Sequence, residues 1–192
     1  MRSRSLARAL ALAGLLAVPG VARSMPSVVA DVGGTFGILG NVGDGGFSFS
    51  LSTLWPIGER YAFGIVGFAD DLGSEIGPLL DPNDGTELGT VELAHRSVLG
   101  GAWRADAGLP GRWGWDPYAS GTFGVYRVAD DHRGERTNAV GSVGFSLAGG
   151  VTRPLGRGSL GAVVRYHRLF NDVVGRYWSA AAEWRWKGSV SQ

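Results

Sequence analysis

The sequence predicts an all-β fold: a single eight-stranded antiparallel up-and-down transmembrane β-barrel. Three observations predict it, namely a composition dominated by glycine, apolar residues that recur at every second position, and connections that alternate between short and long. Glycine supplies 33 of the 192 residues, charged residues make up 18 %, and the mean hydropathy is +0.05. Such a composition fits neither an ordinary soluble enzyme nor a helical membrane protein. The length suits one domain rather than two. Cysteine is absent, which excludes disulfides, thiolate nucleophiles, Cys-ligated metals and a lipidated N-terminal cysteine.

The first element is a leader. Residues 1–22 carry Arg2, Arg4 and Arg8, an apolar run from Ala9 to Val18, the helix-breaking pair Pro19 and Gly20, and small residues at Gly20 and Ala22. This is the pattern of a signal peptide cleaved after Ala22, with residues 23–192 as the barrel domain. The apolar run is well short of the ~20 residues that span a bilayer as a helix. Three of the 18 basic residues fall in the leader, leaving 15 against 17 acidic side chains. A near-neutral mature chain, with Lys187 as its single lysine, offers no basic face for nucleic acid.

Eight strand-like segments follow, at about 28–39, 47–55, 61–70, 90–105, 116–128, 140–153, 160–170 and 177–186. In the second, Phe47, Phe49, Leu51, Thr53 and Trp55 share one face, and Ser48, Ser50 and Ser52 the other. In the third, Tyr61, Phe63 and Ile65 oppose Ala62 and Gly64. In the sixth, Val143, Phe145, Leu147 and Val151 oppose Gly144, Ser146, Ala148 and Gly150. Period-two alternation marks strands with two different faces, and most segments have the ~9–11 residues that a tilted membrane strand needs. The connections 56–60, 107–114 and 155–159 are short and rich in Pro and Gly; 71–89 and 130–139 are longer and polar. Short periplasmic turns and longer extracellular loops are how outer-membrane barrels are built.

The two faces then decide between a soluble and a membrane barrel. The small-residue face also carries Asp31, Glu92, Arg96, Arg104, Arg165, His167, Glu183 and Arg185, so it should line the lumen. The large apolar side chains should then meet lipid. Eight strands enclose a lumen only wide enough for side chains, so these charges form a plug. Turning the last hairpin at residues 171–176 sets Arg165 opposite Glu183. Trp55, Trp103, Trp113, Trp115, Trp184 and Trp186 fall at the periplasmic strand ends, as an interfacial aromatic girdle would. Phe47, Phe170, Tyr177 and Trp178 serve the opposite rim.

In this pattern the chain resembles the small outer-membrane β-barrel proteins of the OmpA, OmpX and OmpW type. The stretch LGAVVRYHRLFND followed by RYWSAAAEWRW looks like the last hairpin of such proteins. The resemblance implies that Trp184 or Trp186 is the terminal aromatic read by the barrel-insertion machinery, although the chain continues through KGSVSQ. It also implies outer-membrane lipid and lipopolysaccharide as surroundings.

Two further groups are candidates for chemistry. His95 and Ser97 point outward near the upper rim and resemble the His-x-Ser pair of barrel enzymes that deacylate lipid A. A serine nucleophile needs a base and an acid that orients it. No carboxylate is evident on the neighbouring outward faces, and Val98 stands where that family has Asn. His132 and His167 complete no pair, so no metal and no cofactor is expected. Asp70, Asp71, Glu75, Asp81, Asp84 and Glu87 crowd the long loop with Ile76, Leu79 and Leu80; the DPNDG stretch lacks calcium-loop spacing, and a solvated acidic loop is expected. The sequence thus points to a non-enzymatic barrel with a structural or surface-contact role. The alternatives are a narrow channel for small or hydrophobic solutes and a lipid A-modifying enzyme.

Overall fold

A computed structural model of the chain describes residues 25–36, 45–82, 85–132, 135–171 and 174–186. The expected signal peptide lies outside them. Eight strands, and no helix among the described residues, form one closed antiparallel barrel in which each strand pairs with its sequence neighbours and β8 returns to β1. They are β1 (Ser27–Phe36), β2 (Gly46–Ile57), β3 (Tyr61–Leu80), β4 (Glu87–Gly108), β5 (Asp116–His132), β6 (Glu135–Leu155), β7 (Gly158–Leu169) and β8 (Arg176–Trp186). Closure pairs every strand on both sides, so no exposed sheet edge runs through the wall. The short connections fall where expected; at the tightest, Gly156 takes a φ of 58°, which suits a residue without Cβ.

Alternation holds around the wall. Leu99, Phe123, Val125 and Leu147 are exposed on the outside, whereas Ser48, Ser50, Ser52, Asp31, Ser146, Ser179 and Glu183 are buried inside. Exposed large apolar residues recur on every strand. A soluble monomer rarely shows a continuous apolar patch beyond a few hundred Å², so the wall is solvated by hydrocarbon.

The strands differ from expectation in length. The loop expected at 71–89 is instead a hairpin extension, with β3 running to Leu80 and β4 starting at Glu87. Its turn is closed by the Asp81 amide donating to the Thr86 carbonyl at 2.8 Å and the Gly85 amide to the Asp81 carbonyl at 2.9 Å. The polar stretch at 130–139 is likewise mostly strand. β3 to β6 have 20, 22, 17 and 21 residues, against 10 to 12 for β1, β2, β7 and β8. Only the shorter lengths match a bilayer, so the side of the barrel formed by β3 to β6 projects beyond it. Polar alternation in these extensions hid them from a search for apolar faces.

The lumen also departs from the expected filling of small residues and charges alone. Its half nearer the loop end holds an apolar core of Val66, Phe68, Leu72, Val98, Tyr126, Val128, Leu169, Val174 and Tyr177. Tyr177, expected on the outer rim, is fully buried there.

An arginine at outward-facing Phe123, near mid-wall, is expected to destabilise the barrel by about 2–4 kcal/mol, while Leu109→Arg in the turn beyond β4 should cost about 0–1 kcal/mol. Urea unfolding of vesicle-inserted protein, followed by tryptophan fluorescence, checks this. Equal losses at the two positions would contradict the lipid-facing wall.

Candidate functional site

The half of the lumen nearer the turns is built from charges. Arg104 on β4 donates from Nε to Asp106 Oδ1 at 2.8 Å and from Nη2 to Asp106 Oδ2 at 3.0 Å. Its Nη1 donates to Ser52 Oγ at 3.0 Å, and Nη2 lies 3.5 Å from Glu183 Oε2. The Tyr118 hydroxyl donates to the same Glu183 oxygen at 2.6 Å. Arg185 donates from Nε to Glu183 Oε1 at 2.6 Å and pairs with Asp106 at 3.0 Å. Its guanidinium lies 4.0 Å from the centre of the Tyr118 ring. Gly150 makes room for that ring, since a Cβ there would stand 2.5 Å from it. Two guanidiniums and two carboxylates thus neutralise each other, as burial in a narrow space demands.

The next tier is a single pair. Arg165 on β7 donates through both terminal nitrogens to the two Asp31 oxygens on β1, each at 2.7 Å, and Ser50 Oγ donates to Asp31 at 2.8 Å. A two-pronged guanidinium–carboxylate pair combines strength with fixed geometry. Above it Asp70 accepts from Ser48 Oγ and from the Tyr177 hydroxyl, both at 2.6 Å. The His167 ring stacks on Tyr177 with centroids 4.3 Å apart, and its Nε2 is 3.2 Å from Ser179 Oγ. A void of about 20 Å³ remains among Ser48, Asp70, Arg104, Arg165 and His167, room for about one water. A wider vestibule of about 370 Å³ opens at the turn end beside Arg60, Asp106, Tyr118 and Arg185.

Asp31, Arg104, Arg165, His167, Glu183 and Arg185 therefore line one axis. Arg96 stands higher on β4 and is half-buried, and the side chain of Glu92 lies outside the described residues. The expected Arg165–Glu183 pair does not form. Arg165 is opposite Ser179 and Glu183 opposite Gly161, so Arg165 reaches across the lumen to Asp31 and Glu183 turns to Arg104 and Arg185. Asp70, assigned to the acidic loop, is a lumen residue, as are the unforeseen Asp106, Tyr118 and Tyr126. Strand parity was the available signal: Asp106 shares a face with Arg104, and Asp70 with Gly64.

Among the tryptophans, Trp55, Trp103, Trp184 and Trp186 lie on outward positions of strands, and Trp103 stacks on Phe63 with centroids 5.6 Å apart. Trp113 and Trp115 occupy the turn between β4 and β5, where Arg112 lies over Trp113 and Arg153 over Trp115.

On the outer wall, the expectation that no carboxylate neighbours His95 is corrected. Asp71 Oδ1 lies 3.3 Å from His95 Nε2, and Ser74 Oγ lies 3.0 Å from His95 Nδ1. His95 is thus joined to Ser74, its cross-strand partner, rather than to Ser97, which stands opposite Asp71. Among the described residues no cluster of acidic and histidine side chains has metal-binding geometry.

An apolar outer wall around an axis of mutually neutralising charges defines a small eight-stranded transmembrane barrel. The solved structures of like fold include Neisserial surface protein A (NspA), with a TM-score of 0.63 and 17 % identity over 85 % of this chain and 97 % of that one. A looser match is Ail of Yersinia pestis in complex with a heparin analogue, with a TM-score of 0.45 and 10 % identity over 84 % of this chain and 99 % of that one. No protein-family model and no curated protein matches the sequence.

Asp31→Asn strands a buried guanidinium and is expected to cost about 3–5 kcal/mol of unfolding free energy. Arg165→Met in the same chain should restore much of that loss. Urea titration of the two single variants and the double variant measures the coupling. Strictly additive losses would show that the pair contributes nothing as a pair.

Proposed function

We propose that this protein is an integral outer-membrane barrel, exported by its leader, whose lumen is closed to solutes and whose role is structural or surface contact. The observation that carries this is the stacking of two ion-paired tiers and an apolar core along one lumen, with a void of about 20 Å³ between them. A solute would have to break buried charge pairs in a space too narrow to hold replacement partners, so the working surfaces are the wall and the rims. The long β3–β4 hairpin supplies such a surface at the loop end, with Leu79, Leu80 and Leu88 exposed near its tip. Exposed apolar side chains on a projecting polar hairpin suit contact with another macromolecule or with the lipid headgroup layer.

In the proposed orientation the turns face the periplasm and the projecting hairpins face outward. Trp55, Trp103, Trp113, Trp115, Trp184 and Trp186 then act as the periplasmic girdle. Trp184 and Trp186 on the last strand are the aromatics presented to the insertion machinery, and lipopolysaccharide surrounds the outer rim.

Planar-bilayer recordings test the closed lumen. The wild-type barrel should show no stepwise conductance, whereas Arg104→Ser combined with Arg165→Ser should open measurable steps. Stable wild-type conductance would overturn the closed lumen in favour of a narrow channel.

A further inference from the structure

The outer wall holds a group that the closed lumen does not use. Asp71 and Ser74 on β3 and His95 on β4 form a continuous hydroxyl–imidazole–carboxylate chain. It is assembled by a bulge: the register between β3 and β4 shifts between Asp71 and Ser74, so that Asp71 stands opposite Ser97 and Ser74 opposite His95. Gly73 inside the bulge has a φ of 76°, a conformation that other residues rarely adopt. The bulge also fixes the carboxylate. The Gly73 amide donates to Asp71 Oδ1 at 2.8 Å, and the Thr35 hydroxyl on β1 donates to the Asp71 carbonyl. The Asp71 and His95 side chains are 42 % and 39 % exposed, so the group can be reached from outside.

Below it, across β3, β4 and the strands beside them, the wall is hollowed. An apolar groove of about 830 Å³ is lined by Leu51, Ile65, Gly67, Gly101, Trp103 and Val125, among others. Gly67 and Gly101 face each other in register, four residues below the Asp71 and Ser97 pair. That separation is roughly 13 Å along the strands, comparable to a fatty-acyl chain of medium length. A polar chain at the rim above an apolar groove matches an amphiphile whose ester sits at the headgroup level and whose acyl chain lies against the wall.

We propose that Ser74, His95 and Asp71 form a hydrolytic triad for acyl esters of lipids in the surrounding leaflet. The site rests on the barrel standing in lipid with its loop end at the outer leaflet, and adds an activity to that placement. With Nε2–H donating to Asp71, the Nδ1 lone pair of His95 is left to accept the Ser74 proton. Ser74 Oγ attacks the ester carbonyl carbon, the carbon–oxygen bond to the alcohol breaks, and His95 returns the proton to the departing alcohol. Water then attacks the acyl-Ser74 ester, giving up a proton to His95. The carboxylic acid is released and Ser74 regains its proton. The sum is ester plus water to acid plus alcohol, with no other reactant.

The experiment uses the mature chain refolded into two kinds of vesicle, one of phosphatidylcholine and one doped with purified lipopolysaccharide. Heat-modifiable gel mobility confirms insertion, and mass spectrometry reads the fatty acid released. Release from either lipid supports the site and identifies the ester's source. Ser74→Ala should abolish release, Asp71→Asn should lower it by about 10²-fold or more, and Ser97→Ala should leave it unchanged. A fluorophosphonate probe should label the wild-type chain on the peptide carrying Ser74 and fail to label Ser74→Ala. A heat-modifiable, inserted wild-type chain that releases no fatty acid and takes no label would overturn the triad and leave the barrel standing. Release that survives Ser74→Ala would overturn it as well. A chain that enters neither kind of vesicle would overturn both the triad and the membrane placement.

Discussion

The structure depends on one constraint: hydrocarbon on the outside forces the charges at mid-wall inward, into a lumen too narrow for bulk water. A charge placed there must meet its opposite within hydrogen-bonding distance. Because several partners come from strands that are not paired with one another, the bonds that neutralise charge also tie together distant parts of the chain. Asp31 and Arg165 are 134 residues apart, Arg104 and Glu183 are 79, and Tyr118 and Glu183 are 65. Asp31 lies on the strand that must be rejoined by β8, so the same pair favours closure over an open sheet. Non-local contacts of this kind form late and slowly.

The two halves of the lumen solve the filling problem differently. Near the turns, long arginines and carboxylates interlock, with Ser52 accepting from Arg104 and Tyr118 donating to Glu183. Near the loop end, Leu72, Val98, Val128, Leu169 and Val174 pack as a soluble core would. Tyr177 joins the two regimes: its ring belongs to the apolar core and stacks on His167, while its hydroxyl donates to Asp70. Asp70 is thereby held by two hydroxyls where the other lumen carboxylates meet guanidiniums.

How much of this was legible follows from what alternation encodes. A period of two assigns each side chain to a face, and the faces of β2, β3 and β6 were read correctly from their serines, glycines and phenylalanines. It does not assign a partner, because any even slip preserves the faces. Arg165 was expected opposite Glu183 and stands opposite Ser179, four positions away on β8. Both remain in the lumen, yet their partners change entirely. The register was set by the local turn, where the Val174 amide donates to Asn171 Oδ1 and the Leu169 amide to the Gly175 carbonyl. Tyr177 is a different kind of miss. It shares parity with Glu183 and was legible as a lumen residue, but its aromatic ring suggested the rim.

The outward triad was illegible for a third reason, which is that alternation fails at the bulge. Counting from Leu72, a regular strand would turn Ser74 toward the axis, and the register shift at Gly73 sets it opposite outward-facing His95 instead. One glycine therefore decides which side of the wall a hydroxyl serves. Bulges re-aim side chains next to functional sites elsewhere, and here the change delivers a serine to a histidine and an aspartate that were already outside. Nothing in the charge balance of the lumen requires those two residues, since the ion pairs of Arg104, Arg165 and Arg185 are complete without them. The lumen explains why the barrel closes, and the bulge explains why a polar chain stands on a wall otherwise shaped for lipid.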